Sequence, residues 1–80
     1  MKVPRDLSGR DVVKVLCSDW DYRKVNQVGS HIALETESPS HHRICIPDHR
    51  TLKVGTLSGI IAAVARHKGV SREAFLKSLL

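Results

Sequence analysis

The residues of this chain with the clearest chemical potential are Gly29, Ser30 and His31, which stand together near the middle of the sequence. Glycine and serine form a small-residue step that ends one predicted strand and lets backbone segments approach closely. The histidine that follows opens the next predicted strand. An imidazole ordinarily titrates at about pH 6.5, so it can both accept and release a proton near neutrality. In a basic chain this pattern favours acid–base chemistry on a phosphodiester, with a surface histidine of no chemical role as the alternative.

Length and composition favour one small domain that spans residues 1–80. The chain has 41% hydrophobic and 26% charged residues, which is ordinary for a folded protein. Its formal net charge is +5 and its isoelectric point is about 9.7. A basic balance favours an anionic partner, with nucleic acid first, an acidic protein second and a membrane surface third. A generically basic domain without such a partner is the alternative.

Cysteine usage and the N-terminus predict a cytoplasmic protein. Cys17 and Cys45 form no CxxC pair, and no apolar run is long enough to span a bilayer. The residues Met1-Lys2 are typical of a native start without a targeting segment. We therefore expect reduced thiols and no membrane association.

Local patterns predict one helix before the first strand. Ser8 and Asp11 have the spacing of a capping box, with Asp in place of the usual Glu. The helix is expected to run from about Gly9 to about Ser18, with apolar residues at helical spacing.

Three strands and two helices are predicted to follow. The strands cover 22–28, 31–36 and 42–46, with a turn around Pro39 before the third. The second helix is predicted to begin with Gly55 or Thr56 near its N-cap and to end at Lys68-Gly69, and a short third helix starts near Ser71. The order α-β-β-β-α-α indicates an α+β fold, with a three-stranded antiparallel sheet and the helices on one face.

The turn at Pro39 also predicts a register for the second and third strands. Glu35 then lies near Arg43, and His31 lies near Pro47, which brings the loop containing His49 beside His31. Alternation along the strands directs one set of side chains to the helices: Ile32, Leu34, Ile44 and Ile46. It directs another set to solvent: His31, Ala33, Arg43 and Cys45.

Three further residues are candidates for chemistry or binding near His31. His49 is the local candidate for a second proton-transfer group. Lys53 and Arg43 supply the cationic donors that suit a phosphate. Each of the three is at least as compatible with an ordinary role as a solvated surface residue.

The five histidines raise a metal site as an alternative. Zinc needs three or four converging ligands, and the adjacent His41 and His42 would point to opposite faces of a strand. Both are expected to be exposed at a hairpin tip. Cys45 could share a face with His31, but no third group orients it, so a small sheet residue is favoured over a nucleophile. We expect neither a metal nor another cofactor.

Four segments, in this order and at this spacing, resemble the HicA family of toxins. The resemblance implies a fold similar to the double-stranded-RNA-binding domain, α-β-β-β-α, and activity as an mRNA interferase in a bacterial or archaeal toxin–antitoxin pair. The segments are Lys2-Val3-Pro4-Arg5-Asp6-Leu7-Ser8-Gly9, Gly29-Ser30-His31, Ile46-Pro47-Asp48-His49 and Leu52-Lys53-Val54-Gly55-Thr56-Leu57.

The resemblance also implies roles and partners. His31 would be the catalytic residue of a metal-independent endoribonuclease, and a HicB-like antitoxin would cover the active face. We expect the mRNA to be contacted by Ser30, Arg43, His49 and Lys53. Family members commonly carry basic residues just before the Gly-Ser-His step, where this chain has Asn-Gln-Val at 26–28.

Two other functions remain open. A non-catalytic RNA-binding module of the same fold would bind RNA in a salt-sensitive way without cleaving it. A protein-interaction domain would dock an acidic partner on its basic face and would have no affinity for RNA.

Overall fold

Residues 3–80 are described by a computed structural model, in which three helices and three strands follow one another in the predicted order. Met1 and Lys2 lie outside the described residues. The expectation of a native start and the first residue of the resembling segments fall on these two positions. The α+β class and the antiparallel three-stranded sheet are confirmed. The elements are α1 (Gly9–Asp19), β1 (Arg23–Val28), β2 (His31–Thr36), β3 (His42–Pro47), α2 (Val54–Lys68) and α3 (Arg72–Ser78).

The predicted capping box fixes the start of α1. The Ser8 hydroxyl accepts the Asp11 backbone N–H at 3.0 Å, and the Asp11 carboxylate accepts the Ser8 backbone N–H at 3.1 Å. These bonds satisfy donors that no helical carbonyl can reach. Hydrogen bonding from Ser8 holds the pKa of the Asp11 carboxyl below its ordinary value. The helix buries Val12 and Leu16 completely.

The sheet has the order β1-β2-β3, so β2 is central. His31 pairs with Pro47 and Glu35 pairs with Arg43, as the turn at Pro39 predicts. The β1–β2 register shifts between Lys24 and Asn26. This bulge interrupts the alternation of β1, and all six of its residues are exposed, so no buried face imposes an apolar pattern on the strand.

Strand β1 starts one residue later than expected. Tyr22, placed in the strand by the sequence, precedes it and is 3% exposed. Asp21 before it has a φ of +64°, which turns the chain between α1 and β1. The third strand extends one residue beyond its expected end and includes Pro47.

One face of the sheet packs on the helices. Ile32, Leu34 and Ile46 belong to the same buried cluster as apolar residues of all three helices, and Ile44 packs against it. We call the other side the open face; it carries His31, Ala33 and Glu35 of β2 and Arg43 and Cys45 of β3.

Ala33 was expected to face solvent, and this expectation is wrong: it is 4% exposed. It lies on the open face, in the central strand, opposite Asn26 of β1 and Cys45 of β3. Both partners have longer side chains, and cross-strand neighbours lie close enough to shield a single methyl group.

Helix α2 begins earlier than the sequence indicates. Its N-cap is Lys53 rather than Gly55 or Thr56, and no side chain caps it. Lysine is an unusual N-cap residue, so N-cap preferences favoured Gly55 or Thr56, which lie later in the sequence. The C-terminus is as predicted, because Gly69 has a φ of +69° and its N–H bonds to carbonyls of the last turn.

Helix α3 closes the core. Ser71 caps it by accepting the Ala74 N–H at 3.0 Å, and Phe75 is fully buried. The Trp20 ring meets Phe75 edge-on with centroids 5.2 Å apart, and its indole N–H donates to Ser78 at 2.9 Å. No helix within residues 3–80 is both long and apolar enough to cross a membrane.

Candidate active site

The turn between β1 and β2 presents His31 at one end of the open face. Gly29 in this turn has a φ of +59°, a region in which a residue with a Cβ is strained. Space is not the reason for glycine, because no atom lies within 4 Å of a Cβ built there. His31 is exposed and lies opposite Val28 on β1 and Pro47 on β3. Its imidazole is therefore accessible from solvent.

The loop after β3 lies against this turn. The Asp48 backbone N–H donates to the Ser30 carbonyl at 2.6 Å, and the Gly9 N–H donates to the His49 carbonyl at 2.9 Å. The predicted proximity of this loop to the start of β2 is confirmed. The His49 side chain is exposed, and none of the hydrogen bonds among residues 3–80 joins it to His31.

Behind the turn, the Asp48 carboxylate connects α1 to β1. Arg10 donates to both of its oxygens, through Nε at 3.1 Å and Nη2 at 3.4 Å. The Gln27 amide donates to Asp48 Oδ2 at 3.4 Å and to the Gly29 carbonyl at 3.2 Å. The Arg10 hydrogen bond holds the pKa of the Asp48 carboxyl below its ordinary value and raises that of Arg10. Asp48 is therefore anionic at neutral pH.

The sequence alone assigned no role to Arg10, Gln27 or Asp48. Arg10 and Asp48 are 38 residues apart, and no local pattern connects them. The strand register was the one available signal, since pairing His31 with Pro47 brings Asp48 next to Ser30.

Lys53 stands at the start of α2 with its side chain exposed. The preceding residue anchors the loop, because the Leu52 N–H donates to the Leu7 carbonyl at 2.8 Å. No acidic residue occupies the first turn of α2. In the described part of the chain the Lys53 ammonium has no hydrogen-bond or ion-pair partner, so it is available to an anion.

Arg43 lies on the open face, and its guanidinium is engaged. Its Nη1 contacts a Glu35 carboxylate oxygen at 3.0 Å. Glu35 is four residues along β2 from His31, which corresponds to about 13 Å. Arg43 therefore lies well away from the His31 ring, and Cys45, an exposed free thiol, stands between them on β3.

Ionisable groups cluster where β2 and β3 meet their connecting turn. Ligand atoms of Glu35, Glu37 and His41 lie within 4.8 Å of one another, close enough to hold a cation. The same carboxylates also contact cations of the protein. Arg43 pairs with Glu35, His41 contacts Glu37 at 2.9 Å, and Arg23 lies 4.0 Å from Glu37. The cluster is thus charge-balanced by its own arginines.

His42 is not the exposed hairpin residue that the sequence indicated. It is half-buried, its Nδ1 lies 2.8 Å from the Tyr22 hydroxyl, and its ring stacks on His67 with centroids 4.5 Å apart. Desolvation lowers its pKa, with His67, His41 and Lys68 acting in the same direction. Burial raises the pKa of Tyr22 to about 12. This histidine therefore supports the junction of β3 and α2.

The five candidate residues do not converge on one point. Ser30 and His31 stand together, with the His49 loop beside them, whereas Arg43 lies farther along the sheet and Lys53 opens α2. What the arrangement offers is an accessible imidazole, that of His31, with a second exposed histidine on the adjacent loop, in a chain of net charge +5. Such a group can transfer a proton to or from a substrate that brings its own nucleophile.

Comparison with known families adds to this geometry. A family model described as "HicA toxin of bacterial toxin-antitoxin" matches residues 9–66, which include α1, the whole sheet and most of α2. Neither the comparison with curated proteins nor the comparison with solved structures finds a match. The match covers well over half of the chain.

The chain is thus the toxin component of a toxin–antitoxin system. It belongs to the HicA toxin family. Membership implies a HicB-type antitoxin as its partner.

Proposed function

We propose that this protein is an endoribonuclease that cleaves mRNA and thereby inhibits translation, with His31 as its catalytic residue. The observation that carries the proposal is the exposure of His31 at the end of the open face, in a family of toxins. A net charge of +5 favours a polyanionic substrate. On this proposal residues 1–80 act as one domain, and the protein works in the cytoplasm, where mRNA is translated.

RNA supplies the nucleophile for its own cleavage. The 2′-hydroxyl attacks the adjacent phosphorus, the bond to the 5′-oxygen breaks, and one proton leaves the hydroxyl while another reaches the departing oxygen. His31 performs one of these transfers, and His49, on the loop beside the turn, is the candidate for the other. A positioned acid or base contributes about 10²–10⁴-fold to such a reaction. No metal is needed to generate a nucleophile, which makes the proposed reaction metal-independent.

Phosphate binding is assigned to exposed polar and cationic side chains. Lys53 supplies an unpaired cation, and the exposed Ser30 hydroxyl can donate to a phosphate oxygen. Arg43 would contact RNA farther along the open face, in competition with Glu35. An antitoxin that covers this face would block access to His31, which gives inhibition a simple steric basis.

The test compares wild-type protein with His31→Ala and His41→Ala on a defined RNA in EDTA. His41 is the matched control, because it is an exposed histidine in the turn before β3, and its hydrogen bond among residues 3–80 is to Glu37. We expect wild type and His41→Ala to cleave and His31→Ala to lose at least about 100-fold in rate. Circular dichroism establishes that each variant is folded.

RNA binding separates the remaining outcomes. Salt-sensitive binding by folded wild type without any scission would replace the proposal with a non-catalytic RNA-binding module. No binding at all would leave a domain that pairs with protein alone. Equal cleavage by wild type and His31→Ala would remove His31 from the catalytic role.

A further inference from the structure

We propose that Gln27 and Asp48 are positioning residues that hold the Gly29–Ser30 turn and thereby fix the His31 imidazole. This inference rests on the proposed function, because it concerns how the same site is ordered. Its basis is that these two residues bond to the two backbone carbonyls immediately before His31.

Gln27 binds the first carbonyl through its side chain. Its Nε2 donates to the Gly29 carbonyl at 3.2 Å, and its Oε1 accepts from the Lys24 ammonium at 2.9 Å. The amide is therefore held at both ends, which fixes its orientation. A neutral residue with both a donor and an acceptor is required here, and a basic residue could not accept from Lys24.

Asp48 binds the second carbonyl through its backbone. Its N–H donates to the Ser30 carbonyl at 2.6 Å, while its carboxylate receives Arg10 and Gln27. The Asp48 side chain is 19% exposed, whereas that of Arg10 is 81% exposed. The carboxylate is thus shielded enough to define a geometry, and Arg10 neutralises it from the solvent side.

Strand pairing holds the two ends of the turn, and this network supplies the side-chain hydrogen bonds to the exposed residues between them. A Cβ built on Gly29 would meet no neighbouring atom within 4 Å, Ser30 is exposed, and β1 is exposed along all six residues. A catalytic group must be held within about 0.5 Å of its productive place, and displacement by about 1 Å can cost 100-fold in rate. Fixing the two carbonyls fixes the Cα from which the imidazole projects.

The test uses Gln27→Ala, Gln27→Glu and Asp48→Asn. Glutamate has the shape of glutamine but only acceptors, which would face the Gly29 carbonyl and the Asp48 carboxylate. We expect Gln27→Ala to lower kcat about tenfold, with KM changed by less than about twofold, and Gln27→Glu to lower kcat at least as much. Asp48→Asn removes the negative charge and one of the two oxygens that accept from Arg10, and its kcat is expected to fall by a similar factor.

The matched control is Asn26→Ala. Asn26 is the neighbouring amide on β1, and its side chain accepts from the Gln27 backbone N–H at 2.9 Å without touching the turn. We expect its kcat to stay within about twofold of wild type. A kcat for Gln27→Ala equal to that of Asn26→Ala would overturn the assignment.

A second readout does not depend on cleavage. Backbone ¹⁵N relaxation should show lower order parameters at residues 29–31 in Gln27→Ala than in wild type or Asn26→Ala, with the rest of the sheet unchanged. Unchanged order at these residues would overturn the positioning role even in an active enzyme. If wild type cleaves no RNA, the proposed function fails, and the order parameters alone decide whether the network holds the turn.

Discussion

Gly9 packs so closely on Pro47 that no side chain fits between them. A Cβ on Gly9 would overlap the Pro47 carbonyl oxygen, and the Gly9 N–H donates to the His49 carbonyl at 2.9 Å. The first residue of α1 thus lies against the last residue of β3, which is the residue paired with His31. Helix α1, the loop after β3 and the candidate active site are joined at this point.

Replacing Gly9 with alanine should therefore destabilise the protein. The backbone of β3 or α1 must move to admit the methyl group, and overpacking of this kind costs about 1–3 kcal/mol in the free energy of unfolding. Urea denaturation at neutral pH measures the change. Gly59→Ala is the control, because a Cβ there meets no atom within 4 Å and alanine favours a helix by about 0.5–1 kcal/mol. Equal stability of Gly9→Ala and wild type would contradict the close approach.

Much of this fold follows from local pattern, and the reasons are physical. The alternation in 31–36 predicted β2 with its observed bounds, and the turn at Pro39 predicted the register that pairs His31 with Pro47. Both signals lie within a few residues of the elements they define. The sequence did not predict Lys53 as the N-cap of α2, because a helix can begin without a favourable N-cap residue when apolar packing along it supplies the stability.

The support of the site could not be predicted in the same way. The Arg10–Asp48 contact depends on α1 crossing the end of β3, a tertiary arrangement that neither local sequence encodes. His42 was misplaced for a similar reason, since its burial depends on Tyr22 and on His67 of α2. Residues that act through distant partners carry no periodic signal of their own.

Stability should fall in mild acid because of His42. Its pKa in the folded protein is lowered, chiefly by desolvation and then by His67, His41 and Lys68, from an ordinary value of 6.5. The unfolded chain therefore binds more protons below about pH 6.5, so the stabilising contribution is present above that pH and is lost as the pH falls toward the lower folded value. The free energy of unfolding at pH 7.5 should exceed that at pH 5.5.

A substitution isolates this contribution. Glutamine at position 42 can still accept from the Tyr22 hydroxyl but does not titrate, so His42→Gln should show a smaller difference between pH 7.5 and pH 5.5. His49→Gln is the control, since its exposed side chain leaves the stacked pair intact. An unaltered pH dependence in His42→Gln would place the titrating group elsewhere.

RNA affinity should depend more on Lys53 than on Arg43. The Glu35 carboxylate 3.0 Å away already neutralises Arg43, whereas the Lys53 ammonium has no such partner within residues 3–80. Lys53→Gln should reduce the slope of log affinity against log salt by about 1, with Arg43→Gln producing a smaller change. Glu35→Gln should strengthen binding, because it releases the arginine. Fluorescence anisotropy on a labelled RNA at several salt concentrations measures all three, and a larger slope change for Arg43→Gln would show that RNA displaces Glu35.

Helix α3 should be essential to stability although it lies beyond the residues matched to the family. Phe75 is fully buried and packs against Trp20. Truncation to alanine is therefore expected to lower the free energy of unfolding by about 3–5 kcal/mol, a large share of the total stability of a domain of 80 residues. Phe75→Leu keeps much of the volume and should remain folded with a lower denaturation midpoint. The single tryptophan reports directly on this contact, so its fluorescence should change in both variants. Lys77→Ala is the control on the exposed side of the same helix, and a midpoint for Phe75→Leu equal to that of Lys77→Ala would mean that α3 does not complete the core.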